Sequence, residues 1–238
     1  GVADGCILGE PTNMKVVAAH CGSSWVKIEI PGKLVHTAWA NHEDNAIMKS
    51  RAVLDALDEW IADYRKRSAI GNFSPNVNIA AIDGGWAWRG ARTPDSCSIY
   101  VDVRTTPDTR PIEILTEMRA LVAGVNAANP GLEARAELYV SNPGTSIPDE
   151  HDLVRHISAA QDAELGEAPE MSMEVWCSDA AHLNRYGIPT VNYGSAGRVR
   201  TGGEGWSVEQ GEHVHIGDLV DITKIYVRVA AAWCGVVN

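Results

Sequence analysis

The chain has 238 residues, with 20 Lys and Arg against 31 Asp and Glu and a formal net charge of -11. That length holds one large core or two modest ones, and the acidic surface repels nucleic-acid phosphates and anionic lipid. No apolar run reaches membrane-span length, and no basic-then-apolar signal opens the chain. The five scattered cysteines (Cys6, Cys21, Cys97, Cys177, Cys234) read as reduced thiols of a cytoplasmic protein.

In chain order, residues 5–9 form a short apolar strand that runs into Glu10-Pro11-Thr12, and residues 1–22 hold one or two strands. Residues 25–30 alternate, with Val26, Ile28 and Ile30 on one face and Lys27 and Glu29 on the other, which predicts a half-buried strand. A helix is predicted over 45–67, where Leu54, Leu57, Ile61 and Tyr64 recur at helical spacing. Arg65-Lys66-Arg67 suits the negative pole at its end. Strands follow at 77–82 and 97–104. In the second, Cys97, Ile99, Val101 and Val103 face inward and leave Tyr100, Asp102 and Arg104 together on the other side. Pro111 opens a second helix, with Leu115, Met118, Val122 and Val125 as its stripe, and residues 134–140 close the sheet. This β-α-β-β-α-β pattern predicts a ferredoxin-like layer with one sheet face and one edge free.

Beyond it come a helix around Leu153, Val154 and Ile157, a strand at 174–176, a short helix at 178–186, a strand at 190–193 and a terminal helix carrying Ile222, Tyr226, Val229 and Trp233. The fold class is therefore α/β: a partial α/β catalytic layer, residues 1–22 and 146–238, with an inserted ferredoxin-like domain at 23–145. The strands outside the insert have little to pair with, which predicts that a further segment completes their layer.

Several residues could carry chemistry. The Glu10 carboxylate, at the carboxyl end of a strand and followed by a rigid proline, is aimed into the crevice where such sheets bind ligands, or is a surface acid in a turn. His36, in Gly-Lys-Leu-Val-His-Thr, could serve a site or cap its loop. Asn45 suits a helix cap. The Arg104 guanidinium can grip both oxygens of a carboxylate, or it pairs with Asp102. Residues 194–197, Gly-Ser-Ala-Gly, offer backbone N–H groups and a hydroxyl, or form a plain turn. Trp39, Trp86 and Trp88 could line an apolar pocket for an acyl or aromatic group, or pack in an interface or core.

Taken together, Gly9-Glu10-Pro11-Thr12, the His36 motif, Asn45-Ala46-Ile47, Asp102-Val103-Arg104 and residues 187–194 (Gly-Ile-Pro-Thr-Val-Asn-Tyr-Gly) resemble, in order, the second half of the di-zinc amidohydrolases. That is the family of acetylornithine deacetylase, succinyl-diaminopimelate desuccinylase, aminoacylase and the glutamate carboxypeptidases. The resemblance implies a lid or dimerisation domain and a homodimer. It implies two zinc ions, with cobalt or manganese as substitutes, and Glu10 as a terminal ligand to one of them. It implies that His36 reaches the partner's active site and donates to the oxyanion of the tetrahedral intermediate, with Asn45 near the same oxyanion. It further implies that Arg104 binds the substrate carboxylate, with Gly194 and Ser195 as further contacts.

The implied substrate is an N-acylated amino acid or small peptide-like amide. The family's His-x-Asp and Glu-Glu motifs lie upstream of the position of Glu10, where this chain has nine residues, so a segment or separate chain is expected to supply them. Two departures stand out: Asp44 replaces the usual glycine before Asn45, and Ser207 and Val208 stand where a metal histidine is expected. His213, His215, Glu204 and Glu209 are the substitutes nearby. A non-catalytic subunit that kept the lid, and a plain ferredoxin-like interaction module, are the competing readings.

Overall fold

The computed structural model describes residues 3–71, 73–195, 214 and 216–235. In chain order it runs β1 (Cys6–Leu8), β2 (Val16–His20), β3 (Gly22–Pro31), α1 (Ala46–Arg67), β4 (Val77–Gly84), β5 (Ser96–Thr105), α2 (Pro111–Ala128), β6 (Arg135–Asn142), β7 (Thr145–Ser146), α3 (Asp152–Leu165), β8 (Met171–Glu174), α4 (Ala180–Arg185), β9 (Thr190–Asn192) and α5 (Ile216–Trp233). Two short 3-10 turns, Thr37–Trp39 and His42–Asp44, sit between β3 and α1. The chain divides into two units, residues 21–144 and residues 1–20 with 145–238.

The inserted unit is a four-stranded antiparallel sheet in the order β4-β5-β3-β6. Alternation decides which face is covered. Val26, Ile28, Ile30, Cys97, Ile99, Val101 and Val103 are all buried, and they pack on Val53, Leu57 and Tyr64 of α1 and Ile114, Met118 and Val122 of α2. The opposite face carries Trp25, Tyr100, Asp102 and Arg104. There the Tyr139 ring, at a bulge in β6, lies 6.1 Å from Trp25 and 5.9 Å from Tyr100. Helix α1 begins where Asn45 Oδ1 accepts from the Ile47 and Met48 N–H groups, at 3.0 and 3.2 Å, and it ends on Arg65-Lys66-Arg67.

Tyr64 ties this core to its chemistry. Its hydroxyl donates to the Arg104 carbonyl at 2.8 Å, and burial pushes its pKa up to about 12. The folded state therefore favours the neutral phenol. That contribution is whole below pH ~10 and is lost as pH climbs toward about 12, roughly 2–3 kcal/mol across the window. Burial drives Tyr193 in the same direction. Urea unfolding at pH 9, 10 and 11 should show stability falling over that range, with a shallower fall in Tyr64→Phe.

In the other unit five short strands pair among themselves, in the order β1-β9-β2-β7 with β8 also on β2. They find more partners in this chain than their sequence suggests. Their core is Val16, Ala18, Val191 and Tyr193 against Leu153, Val154 and Ile157 of α3 and Ile222, Ile225 and Val229 of α5. The strand expected at 174–176 lies earlier, at Met171–Glu174. Its parallel pairing with β2 ends at His20↔Glu174, after which Val175 is exposed and Trp176 stacks on the His20 ring at 6.0 Å.

Candidate active site

Glu10 and Gly194 meet at the carboxyl ends of two parallel strands. β1 and β9 are in register through Leu8↔Asn192, and both chains then turn over the same edge. The backbones cross so closely there that a Cβ on Gly194 would stand 2.1 Å from the Glu10 carbonyl oxygen, so no larger residue fits. Thr12 Oγ1 accepts from the Gly194 N–H at 3.1 Å, and the Met14 N–H donates to the Gly194 carbonyl at 2.9 Å. Asn13 and Met14 take left-handed φ values of 58° and 60° to make the return. Glu10 is thus held half-buried against Gly194 at the strand ends.

Beneath that edge lies a polar cluster that sequence reasoning missed. His20 is fully buried on β2, and its Nε2 lies 3.1 Å from Ser178 Oγ. Ser178 donates to Asn192 Oδ1 at 2.8 Å and accepts from the Ala180 N–H at 3.3 Å, at the start of α4. The hydroxyl proton being used on Asn192, His20 is the donor to Ser178. This cluster ties β2, β9 and α4 together under the Glu10 edge. The one sequence signal for it was a histidine closing the apolar run 16–20.

His36 sits on the loop between β3 and α1. Its Nδ1 accepts from the Ala38 N–H at 3.2 Å, so it does cap the 3-10 turn Thr37–Trp39. Capping and chemistry are compatible here. A ring nitrogen that accepts from an amide carries no proton, so in the neutral imidazole the proton is on Nε2, the nitrogen turned away from the cap. Asn45 is similar: its Oδ1 caps α1, leaving its amide NH2 to donate.

The loop is pinned across to residues 91–95. The Thr37 N–H donates to Ala91 C=O at 3.0 Å and the Thr93 N–H to Val35 C=O at 2.9 Å. The Ala46 N–H donates to Pro94 C=O at 3.2 Å. Thr93 Oγ1 accepts from the Val35 N–H at 2.8 Å. Both 3-10 turns and Asn45 therefore belong to the end of the sheet where Pro31 pairs with Ser96.

Arg104 is at the other end. It pairs with Ser23 across β5 and β3, and its guanidinium lies 3.0 Å from Asp102 Oδ2, while Asp102 Oδ1 accepts from Ser23 Oγ at 2.7 Å. Eight residue steps of β5 separate Arg104 from Ser96, about 26 Å of strand. Within one copy of this unit, the sheet end that carries His36 and Asn45 and the end that carries Arg104 are too far apart to meet across one small substrate.

The three tryptophans do not join the core. Trp39 and Trp88 are 78% and 79% exposed and Trp86 is 40% exposed. Ser207, Val208, His213, His215, Glu204 and Glu209 lie outside the described residues. Among the described residues, no three His, Cys, Asp or Glu side chains converge on a point that could hold a metal ion. Glu10 has the right chemistry for one carboxylate ligand, but these residues do not by themselves make a metal site.

Residues 18–130 match the family described as the peptidase dimerisation domain of M20 enzymes. The chain carries an M20 dimerisation domain. The likeness extends beyond that domain on both sides. Acetylornithine deacetylase of Myxococcus xanthus is 25% identical, covering 99% of this chain and 59% of that enzyme. Succinyl-diaminopimelate desuccinylase of Methylorubrum extorquens is 26% identical, covering 97% and 57%. A tripeptidase of Staphylococcus aureus has the same fold, with a TM-score of 0.67 at 19% identity over 96% of this chain and 57% of its own. The chain thus spans little more than half the length of these M20 relatives. They are deacylases and a peptidase, all hydrolases of amide bonds.

Proposed function

We propose that the protein is a zinc-dependent amide hydrolase that removes the acyl group from an N-acylated amino acid or small peptide-like substrate, working as a homodimer. The observation that carries this reading is the hydrogen bonding of His36, whose cap on Ala38 sets the tautomer that an oxyanion donor needs. The relatives support the reaction class, and the matched dimerisation domain supports the assembly.

In this reading the carbonyl oxygen of the scissile amide, as it becomes an oxyanion, accepts from His36 Nε2–H, with the Asn45 amide as a second donor. Arg104 leaves its contact with Asp102 in part to hold the substrate carboxylate. Since Arg104 and the His36 loop lie at opposite ends of one sheet, each site takes His36 from one copy and Arg104 from the other. Glu10 gives one carboxylate to the metal centre, and Gly194 and Ser195 stand beside it toward substrate. Zinc, when bound, lowers the pKa of a water to about 7 and so supplies the nucleophile. The donors and general base of the His-x-Asp and Glu-Glu motifs come from a further segment, in the same polypeptide or another, and one more ligand from among His213, His215, Glu204 and Glu209.

The test is direct. Residues 1–238, purified with zinc, should hydrolyse no N-acyl amino acid. The same chain joined by the segment that supplies the His-x-Asp and Glu-Glu motifs should do so, and Glu10→Gln should lower both bound zinc and turnover by at least tenfold. Turnover by the 238 residues alone, abolished by Glu10→Gln, would place the whole metal centre within them and refute this arrangement.

A further inference from the structure

We propose that the His36 loop and the loop facing it form an acyl-group subsite for planar aromatic rings, so that the substrates are N-aroyl or N-arylacyl amino acids rather than N-acetyl or N-succinyl ones. This rests on the hydrolase reading above. The two loops are stitched together through Thr37–Ala91 and Thr93–Val35, with a bridge between His36 and Arg92. From this seam they present Trp39, two residues past Thr37, and Trp88, three before Ala91, with Trp86 beside it.

Two indoles nearly four-fifths exposed, on short and well-bonded loops, leave a large apolar area in water with no packing role inside the unit. The Trp39 ring lies 5.2 Å from the His36 ring, tilted by 55°. His36 is the group that would meet the scissile carbonyl, so the indole against it is where the substituent on that carbonyl would lie. Arg89 and Arg92 stand on the loop that carries Trp86 and Trp88, while Lys33 is paired with Asp44 at 3.4 Å and Glu43, Asp83 and Asp95 flank the two loops. Arg89 stands over the Trp88 ring at 5.9 Å. Exposed indoles with an arginine over one of them suit an anion that carries a flat ring.

Titrating the tryptophan emission of the full 238-residue chain with N-benzoylglycine and with N-acetylglycine reads this without turnover. The benzoyl compound should bind at least about tenfold more tightly, and the ratio should fall toward one in Trp39→Ala and in Trp88→Ala. Both side chains are exposed, so both variants should fold. Equal affinities in the parent chain, or a ratio unchanged in both variants, would overturn the proposal. So would conversion of a dimer to a monomer in these variants with the ratio intact, since the indoles would then be packing against a second copy. If the preference holds in a chain that hydrolyses nothing even when complemented, the subsite stands and the hydrolase reading fails.

Discussion

Mixing two crippled variants, His36→Ala and Arg104→Ala, should restore about a quarter of the parent activity. Each alone should be poor. Loss of an oxyanion donor costs roughly 10²–10³ in kcat, and loss of a bidentate carboxylate contact costs roughly 10² in kcat/KM. After random exchange of subunits about half the dimers are mixed. In each mixed dimer one site takes its intact Arg104 from one copy and its intact His36 from the other, while the second site carries both defects. Half the sites in half the dimers give the expected quarter. The ground for this expectation is the strand length between Ser96 and Arg104, which keeps the two sheet ends from converging within one copy. If both residues served the same site from one chain, every site in a mixed dimer would carry one defect and mixing would restore nothing. The assay uses the complemented enzyme at substrate below KM, where the Arg104 defect is fully visible.

Much of the inserted domain was legible because it is governed by short-range rules. Strict alternation over residues 97–104 put Cys97, Ile99, Val101 and Val103 in the core and Asp102 beside Arg104 on the open face, and the structure has them so. Asn45 at the head of α1 and three basic residues at its end mark the helix to within a residue. The reading slipped where tertiary pairing overrides local pattern. Val175 and Trp176 look like strand, yet the parallel ladder with β2 stops at Glu174 and the indole turns to stack on His20.

His20 itself was invisible as a polar anchor. Nothing local tells a histidine at the end of an apolar run that Ser178 and Asn192, 158 and 172 positions on in the numbering, will meet it through Ser178. Glu10 and Gly194 were each recognised by motif, but their contact depends on two parallel strands ending at one edge, a long-range fact. Motif thus nominates residues one by one, while their placement in the fold depends on pairings far apart in the chain. What the geometry adds is the separation of Arg104 from the His36 loop, which under the proposed function assigns the two residues to different copies.

Arg104→Lys should raise KM for an N-acyl amino acid by about tenfold or more, with kcat little changed. Lysine keeps the charge but loses the fork, so a carboxylate held by two parallel N–H···O bonds falls back to a single contact. In the resting structure the fork rests against Asp102, at 3.0 Å, with Asp102 held in turn by Ser23. Under the proposed function, substrate would therefore compete with a carboxylate already in place. That competition sets a second expectation: Asp102→Asn, which keeps the shape and removes the charge, should lower KM in the parent background by releasing the guanidinium. An analogue with its carboxylate amidated never engages the fork, so it should be hydrolysed equally poorly by the parent enzyme and by Arg104→Lys. The comparison separates two roles for the same ion pair. A rise in KM confined to the free acid assigns Arg104 to the substrate. Equal losses on acid and amide, together with a lower Tm, would assign it to Asp102 and the sheet, and the carboxylate site would then have to be sought on the Gly194–Ser195 edge.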